Sequence, residues 1–270
     1  MGTVVRRAAG DTFLRLRSLL LLLTFLCACG SSAASGSASS FDVHVRLRSV
    51  PRGEAWVTAG DASPVLHLEL SGLQPASNHP ADLSALDCVG SAATIPPLAA
   101  DAFGNVAASV PVTFPAHGGA CLRIHAGPGL DDEAQAHIIA HGVLKTLVNS
   151  RAKASAIVAG SSTTGPSGSA RLRYDPLTRV LTVDVEVEGL APGTSHPNHI
   201  HFGQCRAQGP VREALRRLVA GRDGRAHAST RIPQSDGIKG GVWYVAVHQG
   251  PGLGTQAQFS PVLCGDVPRA

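Results

Sequence analysis

Leu181-Thr-Val-Asp-Val-Glu-Val-Glu-Gly-Leu-Ala-Pro192 is the stretch that decides the fold, and an earlier stretch, Val65-Leu-His-Leu-Glu-Leu-Ser-Gly-Leu-Gln-Pro75, repeats its pattern. Apolar and polar residues alternate in both, as in a strand that buries one face. Both continue into a Gly-Leu-x-Pro turn signal. The same number of residues separates the members of three further pairs: Gly72 and Gly189, His79 and His196, Cys88 and Cys205. The chain therefore contains an internal duplication.

The duplication predicts two domains, one over residues 41–146 and one over residues 155–270. Short alternating runs separated by Gly-rich and Pro-rich turns are typical of strands. We therefore expect an all-β protein made of two tandem antiparallel β-sandwiches, each with roughly seven strands. The one helix that the sequence suggests is short, from Val211 to Ala220, because its apolar residues would fall on one face.

Residues 1–28 predict an export signal, because arginines precede the apolar run Leu19–Leu26. That run is too short to cross a bilayer. It ends in Leu26-Cys27-Ala28-Cys29-Gly30, which resembles a bacterial lipobox and implies lipidation at Cys29. An ordinary secretory signal cut near Ala34, or an uncleaved anchor, are the alternatives. Each of these three interpretations implies that the chain is exported from the cytosol.

Residues 29–40 are nearly all Ser, Ala and Gly, a composition that predicts a flexible tether. The expected location is therefore a membrane, reached through the lipid anchor, on its extracellular or periplasmic face. The formal net charge of the whole chain is +4, and much of that charge belongs to the arginines of the signal. The rest of the chain is near neutral, so charge gives no reason to expect nucleic acid as a partner.

Four cysteines remain after the signal and the lipidated residue: Cys88, Cys121, Cys205 and Cys264. Four cysteines permit three pairings, and an oxidising compartment lets disulfides persist. Because the repeats correspond, we expect the pairs to form within each domain, Cys88 with Cys121 and Cys205 with Cys264. Pairing between the domains is the alternative.

The residues that could carry chemistry are four histidines: His196, His199, His201 and His248. Side chains two residues apart on a strand share a face, so His199 and His201 can point to one place. His248 ends another alternating run and can meet them from a neighbouring strand. Three imidazoles without a carboxylate favour copper or zinc over calcium or magnesium. The alternative is that these are structural histidines with no ligand.

The first domain lacks the paired ligands. When His79 is aligned with His196, Asp82 stands opposite His199 and Ser84 opposite His201, while His125 still faces His248. We therefore expect the first domain to be a degenerate repeat that serves as a structural or packing partner and binds no metal.

The second domain resembles the copper/zinc superoxide dismutase superfamily and, more closely, the CHRD domains of bacterial secreted proteins. The resemblance rests on Gly-Leu-Ala-Pro-Gly at 189–193, His-Ile-His at 199–201, Val-Ala-Val-His at 245–248, and Cys-Gly at 264–265. It implies a Greek-key sandwich, copper on His199, His201 and His248, and a disulfide between the cysteines at 205 and 264. His196 matches a histidine beside the copper site.

The resemblance is incomplete. The loop after Cys205 contains no histidine before Asp223, so the zinc site of the dismutases is absent, and no Arg or Lys lies between His248 and Cys264 to guide an anion. We therefore expect an envelope-anchored metal-binding lipoprotein, with copper favoured over zinc and no catalytic residues assigned. One alternative is a superoxide dismutase with a three-histidine copper site and no zinc. The other is a structural or adhesive surface module.

Overall fold

The fold is described by a computed structural model that covers residues 40–58, 63–90, 93–113, 119–145, 154–160 and 165–269. The predicted signal, Cys29 and the tether up to residue 39 lie outside these described residues. The prediction of an all-β protein with antiparallel sheets is confirmed. Among the described residues, no helix is both long and apolar enough to span a membrane.

The elements run in this order: β1 (Phe41–Ser49), β2 (Arg52–Thr58), β3 (Val65–Ser71), β4 (Asn78–Ser84), β5 (Ala93–Ala99), β6 (Val106–Pro111), β7 (Gly119–His125), α1 (Glu133–Ala136), β8 (Ile138–Lys145), β9 (Ala154–Gly160), β10 (Ser167–Asp175), β11 (Val180–Glu188), β12 (Ser195–His196), β13 (Asn198–Gln204), β14 (Ala207–Ala214), β15 (Leu218–Val219), β16 (Ala226–Ile232), β17 (Trp243–His248), α2 (Gln256–Phe259) and β18 (Pro261–Asp266).

Two eight-stranded sheets contain nearly all of these strands. Sheet I has the order β5-β4-β7-β8-β9-β2-β3-β6, and sheet II has the order β14-β13-β17-β18-β1-β10-β11-β16. Alternating residues of each sheet point inward, and each sheet encloses one apolar core as in a β-sandwich. Leu66, Leu68 and Leu70 fill the core of sheet I, as Val183 and Val185 do in sheet II.

The strand that opens each predicted domain lies in the other sheet. β1 pairs with β10 from Phe41↔Tyr174 to Leu47↔Gly168 and continues onto β18, all in sheet II. β9 pairs with β2 and β8 in sheet I. This corrects the predicted boundaries, 41–146 and 155–270, which assign β1 to the first domain and β9 to the second. The segment 38–270 forms one compact unit.

The crossing between the sheets is short and buried. Only Val50 and Pro51 separate β1 from β2. The side chain of Val50 is buried beside the disulfide of sheet II, and its N–H donates to the carbonyl of Val262. Since Val45 and Leu47 of β1 belong to the core of sheet II, burial of apolar surface holds the exchanged strand in place.

The predicted helix at Val211–Ala220 is wrong. Residues Ala207–Ala214 form β14, which pairs with β13, and Leu218–Val219 form β15. Arg212 lies with its guanidinium 4.2 Å from the ring centre of Trp243. Strand pairing and this cation–π contact outweigh the local helical pattern.

Two disulfides join the expected cysteines. Cys88 is bonded to Cys121 in sheet I, and Cys205 is bonded to Cys264 in sheet II. Disulfides of this kind are typical of proteins in an oxidising compartment. Cys205 and Cys264 are buried with Tyr244 and Ala246, so this bond lies beside the strand that ends in His248.

Candidate metal centre

Two neighbouring strands of sheet II bring three histidines together. His199 and His201 lie on β13, with Ile200 between them pointing into the core. β13 pairs with β17, whose last residue is His248. The register between β17 and β18 shifts at His248, where the strand ends. Because successive side chains of a strand alternate between its two faces, His199 and His201 lie on the face opposite to Ile200, away from the core.

The three imidazoles converge in a buried space. One ring nitrogen from each histidine lies within 4.8 Å of the others. The solvent-exposed fraction of the residue surface is 6% for His199, 3% for His201 and 2% for His248. The Nε2 atoms of His201 and His248 are 3.4 Å apart. Two nitrogens bound to one ion at about 2.0–2.1 Å lie at most about 4.2 Å apart. The 3.4 Å separation therefore fits one shared ion directly, and any separation near 4.8 Å needs a small inward movement of the rings.

Backbone carbonyls fix which nitrogen carries the proton in two of the rings. The Nδ1 of His201 donates to Gly209 O over 3.1 Å, and the Nδ1 of His248 donates to Phe259 O over 2.6 Å. A carbonyl oxygen only accepts, and a neutral imidazole has one N–H. The two Nε2 atoms therefore face each other with lone pairs, an arrangement that a cation between them would stabilise.

The third ring, that of His199, has a buried nitrogen, its Nδ1, without a hydrogen-bond partner among the described residues. Buried polar atoms without a partner are rare in native proteins, and each is costly. A metal ion would satisfy this atom. The residues present therefore fit a three-imidazole transition-metal site.

All three rings are neutral near pH 7. Burial and, to a lesser extent, the proximity of the ionisable ring of His201 lower the pKa of His199 to about 4. Burial also lowers the pKa of His248 to about 3, although the hydrogen bond to Phe259 opposes that shift, and burial lowers the pKa of His201. Metal ligands must be deprotonated, so these shifts keep the lone pairs available over the physiological range.

Aromatic rings surround two of the histidines. Tyr244 stacks on His201 with ring centres 4.8 Å apart, and Phe259 lies 4.5 Å from His248. Neither ring is among the residues predicted for the site from the sequence. A period-two strand pattern places Tyr244 on the same face as His248, but nothing local indicates that Phe259 returns to the site. These contacts restrict the rotation of both imidazoles and keep water away from them.

His196 lies outside the cluster of three. It is buried, its Nδ1 donates to the backbone carbonyl of His248 over 2.9 Å, and its Nε2 lies 2.8 Å from Thr194 Oγ1. It therefore holds the backbone of His248 and does not point at the three converging nitrogens. This arrangement is consistent with its expected place beside the metal site.

Sheet I has a buried ion network at the corresponding place. Asp82 on β4 receives bonds from Arg123 Nε over 2.7 Å and from Arg123 Nη2 over 3.1 Å. His125 Nε2 lies 3.0 Å from the same carboxylate, and its Nδ1 donates to Ala136 O. Ser84 is buried nearby and bonds only to backbone carbonyls, at 3.4–3.5 Å. At the place in sheet I that corresponds to the three histidines, the guanidinium of Arg123 therefore supplies a positive charge.

The charges of this network reinforce one another. Burial opposes ionisation of Asp82, but the hydrogen bonds from His125 and Arg123 outweigh it and hold the pKa of the carboxyl below its usual value. The Asp82 carboxylate raises the pKa of His125. Arg123 also donates to the carbonyl of Cys88. The ion network therefore ties β4 and β7 to the loop that holds the first disulfide.

A comparison with curated protein sequences found no match for the chain. Residues 148–251 match the CHRD domain family. The matched stretch contains β13 and β17, so all three histidines of the candidate metal centre lie within the residues that match this family.

Proposed function

We propose that this protein is an exported copper-binding protein whose metal is held by His199, His201 and His248. The observation that carries the proposal is the convergence of three buried imidazoles, one of which also has a ring nitrogen without a hydrogen-bond partner in the described part of the chain. Burial of three neutral imidazoles is costly without a ligand, because each lone pair is removed from water. Binding of a metal ion to the ring nitrogens would offset that cost.

Copper is favoured by the chemistry of the ligands. No carboxylate or thiolate belongs to the cluster, which disfavours calcium and magnesium. Divalent copper binds nitrogen ligands more tightly than divalent zinc in the usual order of stability. When bound, copper would supply a redox-active cation. The chain's own residues would hold the ion, fix the tautomers of His201 and His248, and restrict access of water.

We propose binding rather than turnover as the function. The segment between His248 and Cys264 has no Arg or Lys, so it offers no positive charge to draw in a small anion such as superoxide. Superoxide dismutation stays the alternative. An activity of the copper-loaded protein well above that of free copper would favour it.

Titration of the protein with Cu(II) and Zn(II) by calorimetry tests the proposal. We expect one copper ion per chain, bound more tightly than zinc. A His199→Ala/His201→Ala variant should lose about 100-fold or more in copper affinity, because removing two of the three ligands costs more than losing a group that only hydrogen-bonds a ligand, which costs about 10–100-fold.

A matched variant, His44→Ala/His227→Ala, removes two exposed histidines of the same sheet and should bind copper as the unchanged protein does. Equal copper affinity for the unchanged protein and for the His199/His201 variant would refute the proposed site.

We further propose that the chain is a lipoprotein with two tandem Greek-key domains of the dismutase-like type, derived by duplication. The position-by-position correspondence of strand order in the two sheets supports the duplication. The sequence around Cys29 supports the anchor. The tether would then hold the metal site near a membrane surface.

A Cys29→Ser variant tests the anchor. We expect it to leave the membrane fraction and to lose the mass of the lipid, because the thioether needs the Cys29 sulfur. A Cys27→Ser variant is the control and should stay membrane-bound. Membrane retention and unchanged mass in the Cys29 variant would contradict lipidation.

A further inference from the structure

The atoms that fix the metal ligands are themselves held by sheet I. The carbonyl of Gly209 fixes the tautomer of His201, and the carbonyl of Phe259 fixes that of His248. Both carbonyls lie in segments outside the core of sheet II, one in β14 at its edge and one at the end of the single turn α2. Such segments need a further contact to hold them in place.

Gln208 supplies this contact for the first carbonyl. It precedes Gly209, and its side-chain Nε2 donates to the carbonyl of Leu73, in the turn after β3, over 2.7 Å. A neighbouring bond strengthens the junction, since Asn105 Nδ2 donates to Arg206 O over 3.1 Å. Gly104 gives the amide room, because a Cβ there would lie 2.6 Å from Gln208 Nε2. The turns of sheet I therefore set the position of the Gly209 carbonyl.

Gln256 supplies the contact for the second carbonyl. It begins α2, and its Nε2 donates to two carbonyls of sheet I, Asn78 O over 2.6 Å and Ala126 O over 3.1 Å. The next residue, Ala257, is buried in the core of sheet I. The turn ends at Phe259, whose carbonyl accepts from His248. The position of this carbonyl thus also depends on sheet I.

The two contacts act on the same site from two sides, and neither uses a metal ligand. They complement the exchange of strands, in which β1 enters sheet II and pairs with β18 beside β17. Groups that hydrogen-bond ligating histidines control the orientation and basicity of the rings, and their loss commonly lowers metal affinity by about 10–100-fold. Gln208 and Gln256 act one step further out, on the segments that carry those carbonyls, so the lower end of this range is expected.

We propose that Gln208 and Gln256 are positioning residues for the metal centre, and that through them sheet I, which lacks the three histidines, sets the geometry of the site in sheet II. This inference rests on the proposed copper-binding function. It assigns the degenerate half of the chain a role in the affinity and coordination geometry of the site.

The test uses the full chain with the double substitution Gln208→Met/Gln256→Met, which keeps side-chain length and removes both amide donors. Gln204→Met/Gln258→Met is the matched control. Gln204 Nε2 donates to Gly241 O in the turn before β17, and Gln258 Oε1 accepts from Gly254 N, just before α2. Copper affinity is measured by competition with a chelator, and the electron paramagnetic resonance spectrum is recorded at saturating Cu(II). The melting temperature of the metal-free protein is compared among all variants.

We expect about a 10-fold loss of copper affinity and an altered spectrum in the Gln208/Gln256 variant, with neither change in the control. An unchanged spectrum and affinity in that variant would overturn the inference and leave the copper site standing. Equal losses in variant and control would also overturn it, because they would show general destabilisation. Failure of the unchanged protein to bind copper would instead overturn the proposed function.

Discussion

Replacing Arg123 with Met is expected to lower the free energy of unfolding by about 3 to 5 kcal/mol. The guanidinium makes two bonds to Asp82, and both side chains are largely buried. Its removal leaves the carboxylate with His125 as its one charged partner and also removes the donor to Cys88 O. Urea denaturation monitored by circular dichroism at pH 7 measures the loss.

The double substitution Asp82→Asn/Arg123→Met is the control, because it removes both charges together. Replacing both members of a buried ion pair costs less than breaking it, so the double variant should be more stable than Arg123→Met alone. If the two variants were equally unstable, the loss would come from packing of the arginine side chain and not from an uncompensated charge. Copper should bind to both variants if the site in sheet II folds.

Local patterns were enough to predict the fold class and the candidate site. Alternation over Leu181–Glu188 predicts a half-buried strand, which is β11 in the structure. The two-residue spacing of His199 and His201 places both rings on one face of β13. Because β13 and β17 are neighbours, His248 completes the cluster. The disulfides follow from the correspondence of the repeats.

Other features depend on contacts that no local pattern contains. In the sequence, nothing distinguishes Gln208 and Gln256 from other polar residues, because their side-chain hydrogen bonds are to carbonyls that are distant in the chain. Arg123 aligns with Ala246 of the second predicted domain, and nothing in the local sequence indicates that its guanidinium reaches Asp82. The predicted helix near Val211 failed for the same reason, since its residues instead pair with β13 and contact Trp243.

The sequence pattern does not predict the exchange of the first strands. Alternation indicates that a strand buries one face, but it does not indicate in which sheet the strand pairs. Phe41–Ser49 alternates equally well for either sheet. The two sheets offer equivalent positions to β1 and β9, since each of these strands lies between corresponding neighbours in the strand order. The choice therefore depends on the short crossing at Val50 and on the burial of Val45 and Leu47 among the side chains of sheet II.

Paired cysteines are expected to detect the exchange directly. Arg46 on β1 stands opposite Ser169 on β10, and both residues are exposed. The variant Arg46→Cys/Ser169→Cys should therefore form a third disulfide within a single chain, because residues facing each other on antiparallel strands have Cβ atoms about 4.5–5.5 Å apart. Peptide mapping by mass spectrometry under non-reducing conditions identifies the bond.

The variant Arg46→Cys/Glu54→Cys is the matched control. Glu54 is exposed and occupies on β2 the position that Ser169 occupies on β10, where it faces Ile157 of β9. Were β1 to stay in its own repeat, Arg46 would stand opposite Glu54 and this second pair would be the one to cross-link. Formation of the Arg46/Glu54 bond, with none in the Arg46/Ser169 variant, would contradict the exchange. Because β1 reaches β17 through β18, such a result would also remove one of the links between sheet I and the histidines.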